Sequence, residues 1–332
     1  MKETKNNLFT NPIIVVLAAL LCCALWGSAT PAIKTGSALL IPEPGVASTI
    51  LFAGTRFTMA GIITVLIYSI ARKRFLYPKL SNMPRVLTVG AFQTVIQYIF
   101  FYVGLTITTG VKGTIASGTS AFFSVLVASL IFRQEKLTVK KIVACVLGFA
   151  GIILINLKGL EFTMNLGDLF VIFSAISLAV SSVLIKRFSK YEDPVVISGY
   201  QFIIGGAFLV VLGLCLGGKM SFESTTGVVI LIYLSFLSAV AYALWGVLLK
   251  YNPVSKVTIF SFTTPIFGTV LSLLFLPEVS NVDTLNLILT LLLVSGGIFL
   301  LNYVKKEKKP SENNEKASDS EKNVDNGAEK KA

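Results

Sequence analysis

The chain has 332 residues, of which 54% are hydrophobic and 14% are charged, and its formal net charge is +12. Its mean hydropathy is +0.78. Soluble domains are roughly 25% charged, so this composition excludes an ordinary soluble protein. The basic residues separate hydrophobic runs instead of forming a patch on a polar module, and we therefore expect no nucleic-acid partner.

Ten apolar runs follow one another along the chain. Each is close to the roughly 20 residues that cross the hydrocarbon core of a bilayer as a helix. The runs are continuous rather than alternating, which favours helices over a β-barrel. The sequence thus predicts an all-α polytopic membrane protein. Its predicted spans are 12–33, 47–71, 86–109, 111–132, 139–157, 167–185, 195–216, 227–249, 254–276 and 285–304.

The first run carries the stretch LWGSATPAIK at 25–34. Pro31 lacks the N–H that would bond the carbonyl of Gly27, so it can bend the helix there. Ser28 and Thr30 are expected to satisfy the freed backbone groups or to face a solute, and Lys34 to end the helix. A cleaved signal peptide is the alternative for this run. We favour a membrane span, because nine further runs follow and the run matches a later one.

The Lys and Arg residues are distributed unevenly between the two ends of the spans. Sixteen lie at the ends that share a side with the N-terminus, and four lie at the opposite ends. Cytoplasmic loops carry the excess of basic residues in membrane proteins. The sequence therefore predicts cytoplasmic termini and a location in the cell membrane. The N-terminal segment is 1–11, and a charged tail at 305–332 is predicted to be disordered.

Two parts of the chain resemble each other. A shift of 143 positions aligns residues 108–135 with a later span and pairs Glu135 with Glu278. With a small change of offset, AGTRFTMAG at 53–61 matches SGYQFIIGG at 198–206. The shared order of these matches indicates an internal repeat.

The repeated unit contains five spans, and an odd number places the second copy upside down in the membrane. The halves 12–157 and 158–304 therefore predict a 5+5 inverted repeat. Such repeats are typical of secondary transporters, which bind the substrate near the midplane and work by alternating access.

Five short motifs carry a resemblance to a known family: WGSATPAIK at 26–34, RF at 56–57, FRQEKLT at 132–138, GFAGIILI at 148–155 and GD at 167–168. Over residues 12–304 the chain resembles the EamA-like branch of the drug/metabolite transporter superfamily. The resemblance implies ten helices, a 5+5 inverted repeat, and a central cavity lined by the first, third, fourth, sixth, eighth and ninth helices. The halves differ, because Gln201 stands where the first half has Arg56, and Phe122 stands where the second has Pro265.

Polar and aromatic residues inside the spans are the candidates for the cavity wall. Gln93 and Gln97 share one face of the third span, and hydrogen bonding between helices is their alternative role. For the tryptophans the alternative is the belt at the membrane interface, which fits Trp245 better than Trp26. Small-residue stripes on other spans favour close packing. The complete set of cavity candidates is Trp26, Ser28, Thr30, Gln93, Gln97, Tyr98, Tyr102, Ser117, Ser177, Tyr242, Trp245 and Thr264.

Arg56 is the one charge well inside a span, where a central position costs about 2.5 to 3.5 kcal/mol on insertion scales. We favour a structural role for it, in which it bonds carbonyl groups or pairs with Glu43. The other structural or gating candidates are Pro31, Pro265, Glu135 and Glu278. The two glutamates lie at helix ends, where they are expected to organise turns.

Several function classes lack the residues they need. The chain has no His and no Asp or Glu well inside a span, so an intramembrane enzyme lacks most of the bases and metal ligands it needs, and a buried proton relay has no candidate. A Ser-Lys dyad is the enzyme alternative that stays open, although no Lys falls in the middle of a span. Nothing resembles the charged ring or carbonyl filter of a channel. The four Cys lie in apolar runs, where small buried hydrophobes are expected and disulfides are not.

We therefore expect a secondary transporter, not an enzyme, that moves a small organic metabolite such as an amino acid or a related compound. Export is the expected direction. A drug or toxic-compound exporter of the same fold, or a membrane sensor or scaffold that transports nothing, is the alternative. The expected partners are a small-molecule substrate and the lipid bilayer, with a homodimer as a further candidate. We expect no cofactor.

Overall fold

The computed structural model describes residues 8–157, 163–275 and 284–302, and it contains only helices and turns within them. The predicted tail and Glu278 lie outside these residues. Two of the helices below are built from three segments and one from two. The helices are α1 (Pro12–Leu40), α2 (Val46–Ala71), α3 (Met83–Gly90, Ala91–Ile96 and Gln97–Leu105), α4 (Gly110–Leu126 and Val127–Ile131), α5 (Val139–Ile155), α6 (Leu166–Phe188), α7 (Pro194–Cys215), α8 (Thr225–Tyr251), α9 (Val254–Thr258, Ile259–Thr263 and Thr264–Phe275) and α10 (Thr284–Asn302).

The predicted all-helical membrane architecture is confirmed. Within the described ranges, nine helices are long and apolar enough to cross a bilayer. The remaining one, α5, has 17 residues, which is the lower end of the length that spans a hydrocarbon core. The chain is therefore a multi-pass membrane protein.

Polar side chains at the starts of several helices satisfy backbone N–H groups that have no partner within the helix. Asn11 accepts a hydrogen bond from the N–H of Ile13 at 3.0 Å. Asn165 and Asp168 form a reciprocal capping box, with both bonds at 2.9 Å. Asp168 thus caps the start of α6.

The end of α1 differs from the prediction. Lys34 was predicted to end the helix, but α1 continues to Leu40. Pro31 removes only one helical hydrogen bond, and the next two turns pack on the protein: Gly36 lies against Ile230, and Leu40 is fully buried. Tertiary contacts therefore outweigh the polar sequence after Pro31.

The pairing of the helices has a regular pattern. Helix α1 packs against α8 and α9, and α6 packs against α3 and α4. The two sets correspond when each helix is exchanged for the one five places away in the other half: α1 for α6, α8 for α3 and α9 for α4. Helix α2 pairs with α7, and α5 with α10 through Gly151 and Val294. This pattern supports the inverted repeat, which stays a prediction.

The pair formed by α2 and α7 depends on glycine at the contact. A Cβ atom on Gly54 would lie 2.5 Å from the backbone nitrogen of Val210, and one on Gly206 would lie 2.5 Å from that of Thr58. Small residues let membrane helices approach closely, and dispersion between the backbones then holds them together. The contact brings α2, and with it Arg56, against the second half of the chain.

We predict that Gly54→Ala destabilises the protein, because the new methyl group meets backbone atoms that cannot rotate away. Overpacking of this kind costs about 1 to 3 kcal/mol. Gly296→Ala is the matched control, since a Cβ there meets no atom within 4 Å. Thermal unfolding of the purified variants in detergent measures the effect. Equal unfolding temperatures for the two variants would contradict this account of the α2–α7 contact.

Candidate functional site

Five of the predicted cavity residues meet where α1, α3 and α8 come together. These residues, Trp26, Tyr98, Tyr102, Tyr242 and Trp245, form what we call the aromatic cluster. The Trp26 ring centroid lies 5.1 Å from that of Tyr242 and 4.9 Å from that of Trp245, both edge to face. The hydroxyl oxygens of Tyr98 and Tyr242 are 2.9 Å apart. Residues far apart in sequence thus form one continuous group.

The tryptophans of the cluster do not have the environment of an interfacial belt. Trp245 is 4% exposed, so its ring is inside the protein. Trp26 is half-buried and its ring packs against α8. Its Nε1 atom is buried and has no hydrogen-bond acceptor among the residues that the structure describes. An indole N–H in this state is available to a bound molecule.

Two phenylalanines form the back of the cluster, and the sequence did not single them out as cavity candidates. The Phe57 ring lies 4.4 Å from Tyr98 and stacks on Phe202 at 5.0 Å. Phe202 in turn meets the edge of Tyr242 at 4.8 Å. Phe57 belongs to the RF motif, but a phenylalanine in an apolar helix gives no signal that separates a site from the core.

Arg56 lies beside the cluster and is 3% exposed. Its Nε and Nη2 donate to the hydroxyl of Ser238 at 3.1 and 2.9 Å, and its guanidinium lies 4.8 Å from the centre of the Phe57 ring. The suggested pair with Glu43 is wrong, because Glu43 binds Lys219 at 2.8 Å on the protein surface.

The glutamines of α3 have different surroundings. Gln93 is 1% exposed, and its Oε1 accepts a hydrogen bond from Gln201 at 3.1 Å. Gln201 also accepts one from Thr94 at 2.6 Å. Gln93 therefore joins two helices, the alternative role given for it above. One turn along, the Oε1 atom of Gln97 is buried with no donor in the described part of the chain.

The polar segment of α3 is not a regular α-helix. Residues Ala91–Ile96 form a π-helical turn, which widens the helix and which is frequent at functional sites. The hydroxyl of Ser177 on α6 donates to the carbonyl of Phe92 in this turn at 2.6 Å. Ser177, a predicted cavity residue, thus compensates a backbone group that the altered helix leaves available.

A second irregularity lies in α9. Residues Ile259–Thr263 are 3₁₀-helical, and the helix resumes at Thr264 with Pro265 as its second residue. The Oγ1 atom of Thr264 is buried and has no partner among the described residues. Helix α1 touches α9 next to this break, since a Cβ on Gly27 would lie 2.5 Å from that of Phe267.

The hydroxyl groups of the other predicted cavity residues form hydrogen bonds within their own helices or are exposed. Ser28 donates to the carbonyl of Leu25 at 2.8 Å and contacts the hydroxyl of Tyr233 at 2.7 Å, so it does not bond the carbonyl of Gly27 that Pro31 frees. Thr30 is exposed. Ser117 donates to the carbonyl of Gly113 at 2.7 Å. The site thus concentrates on the aromatic cluster, Arg56 and the irregular turns.

The sequence matches the model of the EamA-like transporter family over residues 13–157 and 165–303. The chain belongs to this family. It is 27% identical over 289 residues to an uncharacterized transporter, YvbV, of Bacillus subtilis, covering 86% of this chain and 90% of that protein. It is also 26% identical over 217 residues to a WAT1-related chloroplastic protein of Arabidopsis thaliana, covering 61% of this chain and 51% of that protein.

A solved crystal structure has the same fold as this EamA-like protein. The TM-score is 0.71 with 18% sequence identity, over 86% of this chain and 97% of the other. At this identity the likeness concerns the fold alone. The family and the transporter relatives together make the chain a membrane transporter that is not an enzyme.

At one end of this EamA-like transporter, Glu135 joins the two halves. Its carboxylate accepts hydrogen bonds from Lys141 Nζ at 2.7 Å, from the backbone of Ser255 at 3.3 Å, and from the Ser255 hydroxyl. Lys186 donates nearby to the carbonyls of Leu249, at 3.1 Å, and Asn252. We call Glu135, Lys141, Lys186, Asn252 and Ser255 the polar latch.

Two opposing effects set the pKa of Glu135. Burial raises the pKa, because its side chain is 7% exposed, but the hydrogen bonds from Lys141 and Ser255 outweigh burial and hold the pKa below its usual value. A carboxylate with a lowered pKa contributes stability at neutral pH that is lost as the pH falls through that pKa.

We predict that Glu135→Gln weakens the latch at pH 7 and lowers the unfolding temperature of the purified protein. The difference from the unchanged protein should shrink as the pH falls below about 4.3, the ordinary pKa of a glutamate, because the unfolded chain then binds a proton before the folded carboxylate, whose pKa is lowered, does. Glu223→Gln is the control for a loss of charge at an exposed site. A difference that stays constant from pH 7 to pH 3.5 would contradict a role for the charge.

Proposed function

We propose that this transporter carries a small organic metabolite, an amino acid or a related compound, across the cytoplasmic membrane by alternating access, with export as the direction. The aromatic cluster is the observation that carries the proposal. Pockets for small organic molecules combine apolar and aromatic walls with a few polar groups that fix orientation. The half-buried Trp26 and Tyr98, with buried polar atoms next to them, have this character.

The contacts between the halves support a mechanism in which they rock against each other. Glu135 and Ser255 join the halves in the polar latch. Glu43 and Lys219 join them just before the start of α2. Opening one set while keeping the other would expose a central site to one side at a time, as inverted-repeat transporters do. The basic residues at the latch end support a cytoplasmic orientation for it and for both termini. A homodimer stays a prediction.

We expect saturable exchange when the purified protein is placed in liposomes. The solutes to test are those whose levels differ between cells with and without the protein, beginning with amino acids. Counterflow of the radiolabelled solute into liposomes preloaded with the same solute measures exchange, and protein-free liposomes give the background. Flux without saturation would indicate a pore, and no exchange of any differing solute would favour a sensor or scaffold.

The break in α9 provides a test of the moving parts. We predict that Pro265→Ala leaves membrane insertion intact and changes the rate of exchange several-fold, because alanine restores a helical N–H next to the 3₁₀ segment. Pro12→Ala is the matched control, since Pro12 is exposed at the first position of α1, where no helical hydrogen bond is lost. Equal exchange rates for both variants would remove the hinge role from Pro265.

A further inference from the structure

The charge of Arg56 has no counter-charge in the part of the chain that the structure describes. No carboxylate lies within ion-pair distance, and the only side chain that accepts its hydrogen bonds is Ser238. An uncompensated buried charge is strongly unfavourable, and such charges are normally paired in proteins. The arrangement calls for an anion that the polypeptide itself does not supply.

The second half of the chain shows what a purely structural solution looks like. The shift of 145 positions that pairs Arg56 with Gln201 also pairs Ser238 with Gln93. Gln201 and Gln93 are hydrogen-bonded at 3.1 Å, just as Arg56 and Ser238 are. A neutral amide pair therefore bridges α3 and α7 at the place where Arg56 and Ser238 bridge α2 and α8. Since bridging does not require a positive charge, the charge of Arg56 calls for another explanation.

Arg56 and the aromatic cluster keep hydrogen-bond donors that the described residues do not use. Its Nη1 atom donates to no group among the described residues. Tyr98 and Tyr242 bond only to each other through their hydroxyls, so one of the two hydroxyl hydrogens remains available. The N–H of Trp26, which contacts Tyr242, also has no acceptor in the described ranges. Donors that surround a fixed positive charge are the complement of a carboxylate.

We infer that Arg56, with the hydroxyls of Tyr98 and Tyr242, recognises the carboxylate of a small organic acid with a hydrophobic body. The rings of Trp26 and Trp245 then contact that body. A substrate ammonium group is not required, because the described part of the cluster offers it no carboxylate. This inference rests on the proposed function and narrows it: among amino acids and related compounds, the acid group is essential and the amino group is dispensable.

The protein carries its own reporter for this binding. Its only two tryptophans, Trp26 and Trp245, both lie in the aromatic cluster, so intrinsic tryptophan fluorescence reports on the site. Three probes share the same aromatic ring. 3-Phenylpropionate carries only the carboxylate, L-phenylalanine carries the carboxylate and the ammonium group, and phenethylamine carries only the ammonium group. We expect saturable emission changes with the first two, and at least about tenfold weaker binding of the third, as for loss of a hydrogen-bonded charged group.

Arg56→Gln is the decisive variant, because it copies the neutral residue of the second half and can keep the bridge to Ser238. We expect it to weaken binding of 3-phenylpropionate by at least about tenfold, while Arg56→Lys retains part of the affinity. Tyr242→Phe should weaken binding several-fold. Tyr233→Phe, on the same helix but 42% exposed, is the matched control and should bind as the unchanged protein does. Unfolding temperatures measured on the same samples show whether each variant folds. If Arg56→Gln does not fold, the affinities of Arg56→Lys and Tyr242→Phe for 3-phenylpropionate provide the test instead.

The inference is overturned by no saturable change with either acid, by equal binding of acid and amine, or by unchanged acid binding by Arg56→Gln. A chloride-dependent signal that the organic acids do not displace would assign the charge to an inorganic anion and overturn it as well. The counterflow measurement separates these failures from that of the proposed function. Saturable exchange of a solute that 3-phenylpropionate does not inhibit leaves transport standing and refutes the carboxylate site.

Discussion

The structure depends on one constraint, that backbone N–H and C=O groups inside a bilayer must be satisfied within the protein. Ten helices satisfy this constraint almost everywhere, so each departure from regular helix requires compensation. The π-helical turn in α3 leaves the carbonyl of Phe92 to the hydroxyl of Ser177 on α6. The 3₁₀ segment of α9 lies where α1 packs closely, and the thiol of Cys23 donates to the carbonyl of Phe260 at 3.2 Å. At these two irregular turns a neighbouring helix supplies a polar partner to the backbone.

The same constraint explains why the few polar side chains of the spans carry so much of the function. In an apolar bundle a buried polar atom normally has a hydrogen-bond partner within the protein, and one without such a partner is available to a ligand. Gln93 and Gln201 take the first course, and Trp26 Nε1 takes the second. Arg56 does both, since it bridges to Ser238 and yet keeps donors to spare. If the two halves are an inverted repeat, as the sequence predicts, they differ in charge at this position, with Arg56 in one half and Gln201 in the other.

Much of the fold could be predicted from the sequence, because apolar length alone defines a membrane span. The aromatic residues Trp26, Tyr98 and Tyr242 could also be named, because polar and aromatic groups are rare in these spans. Their partners could not: Arg56 and Ser238 are 182 residues apart, and a serine in an apolar helix has no pattern that reveals its contact. The end of α1 was misplaced since Pro31 and Lys34 signal termination locally, whereas burial of Leu40 is a tertiary effect. The π-helical turn likewise follows from packing and has no local sequence signal.

The arrangement of α8 links the aromatic cluster to the polar latch. Ser238, Tyr242 and Trp245 all lie on this helix, which ends at Tyr251 directly before Asn252 of the latch. About ten residues of helix, roughly 15 Å, separate Tyr242 from Asn252, and Ser255 is the second residue of the next helix. A ligand can shift the balance between two conformations only by binding one of them better. If an anion binds at Arg56 as inferred above, it would act on α8 through Ser238 and Tyr242. Because the carbonyls of Leu249 and Asn252 at the end of this helix accept hydrogen bonds from Lys186, binding at Arg56 would then be coupled to the polar latch.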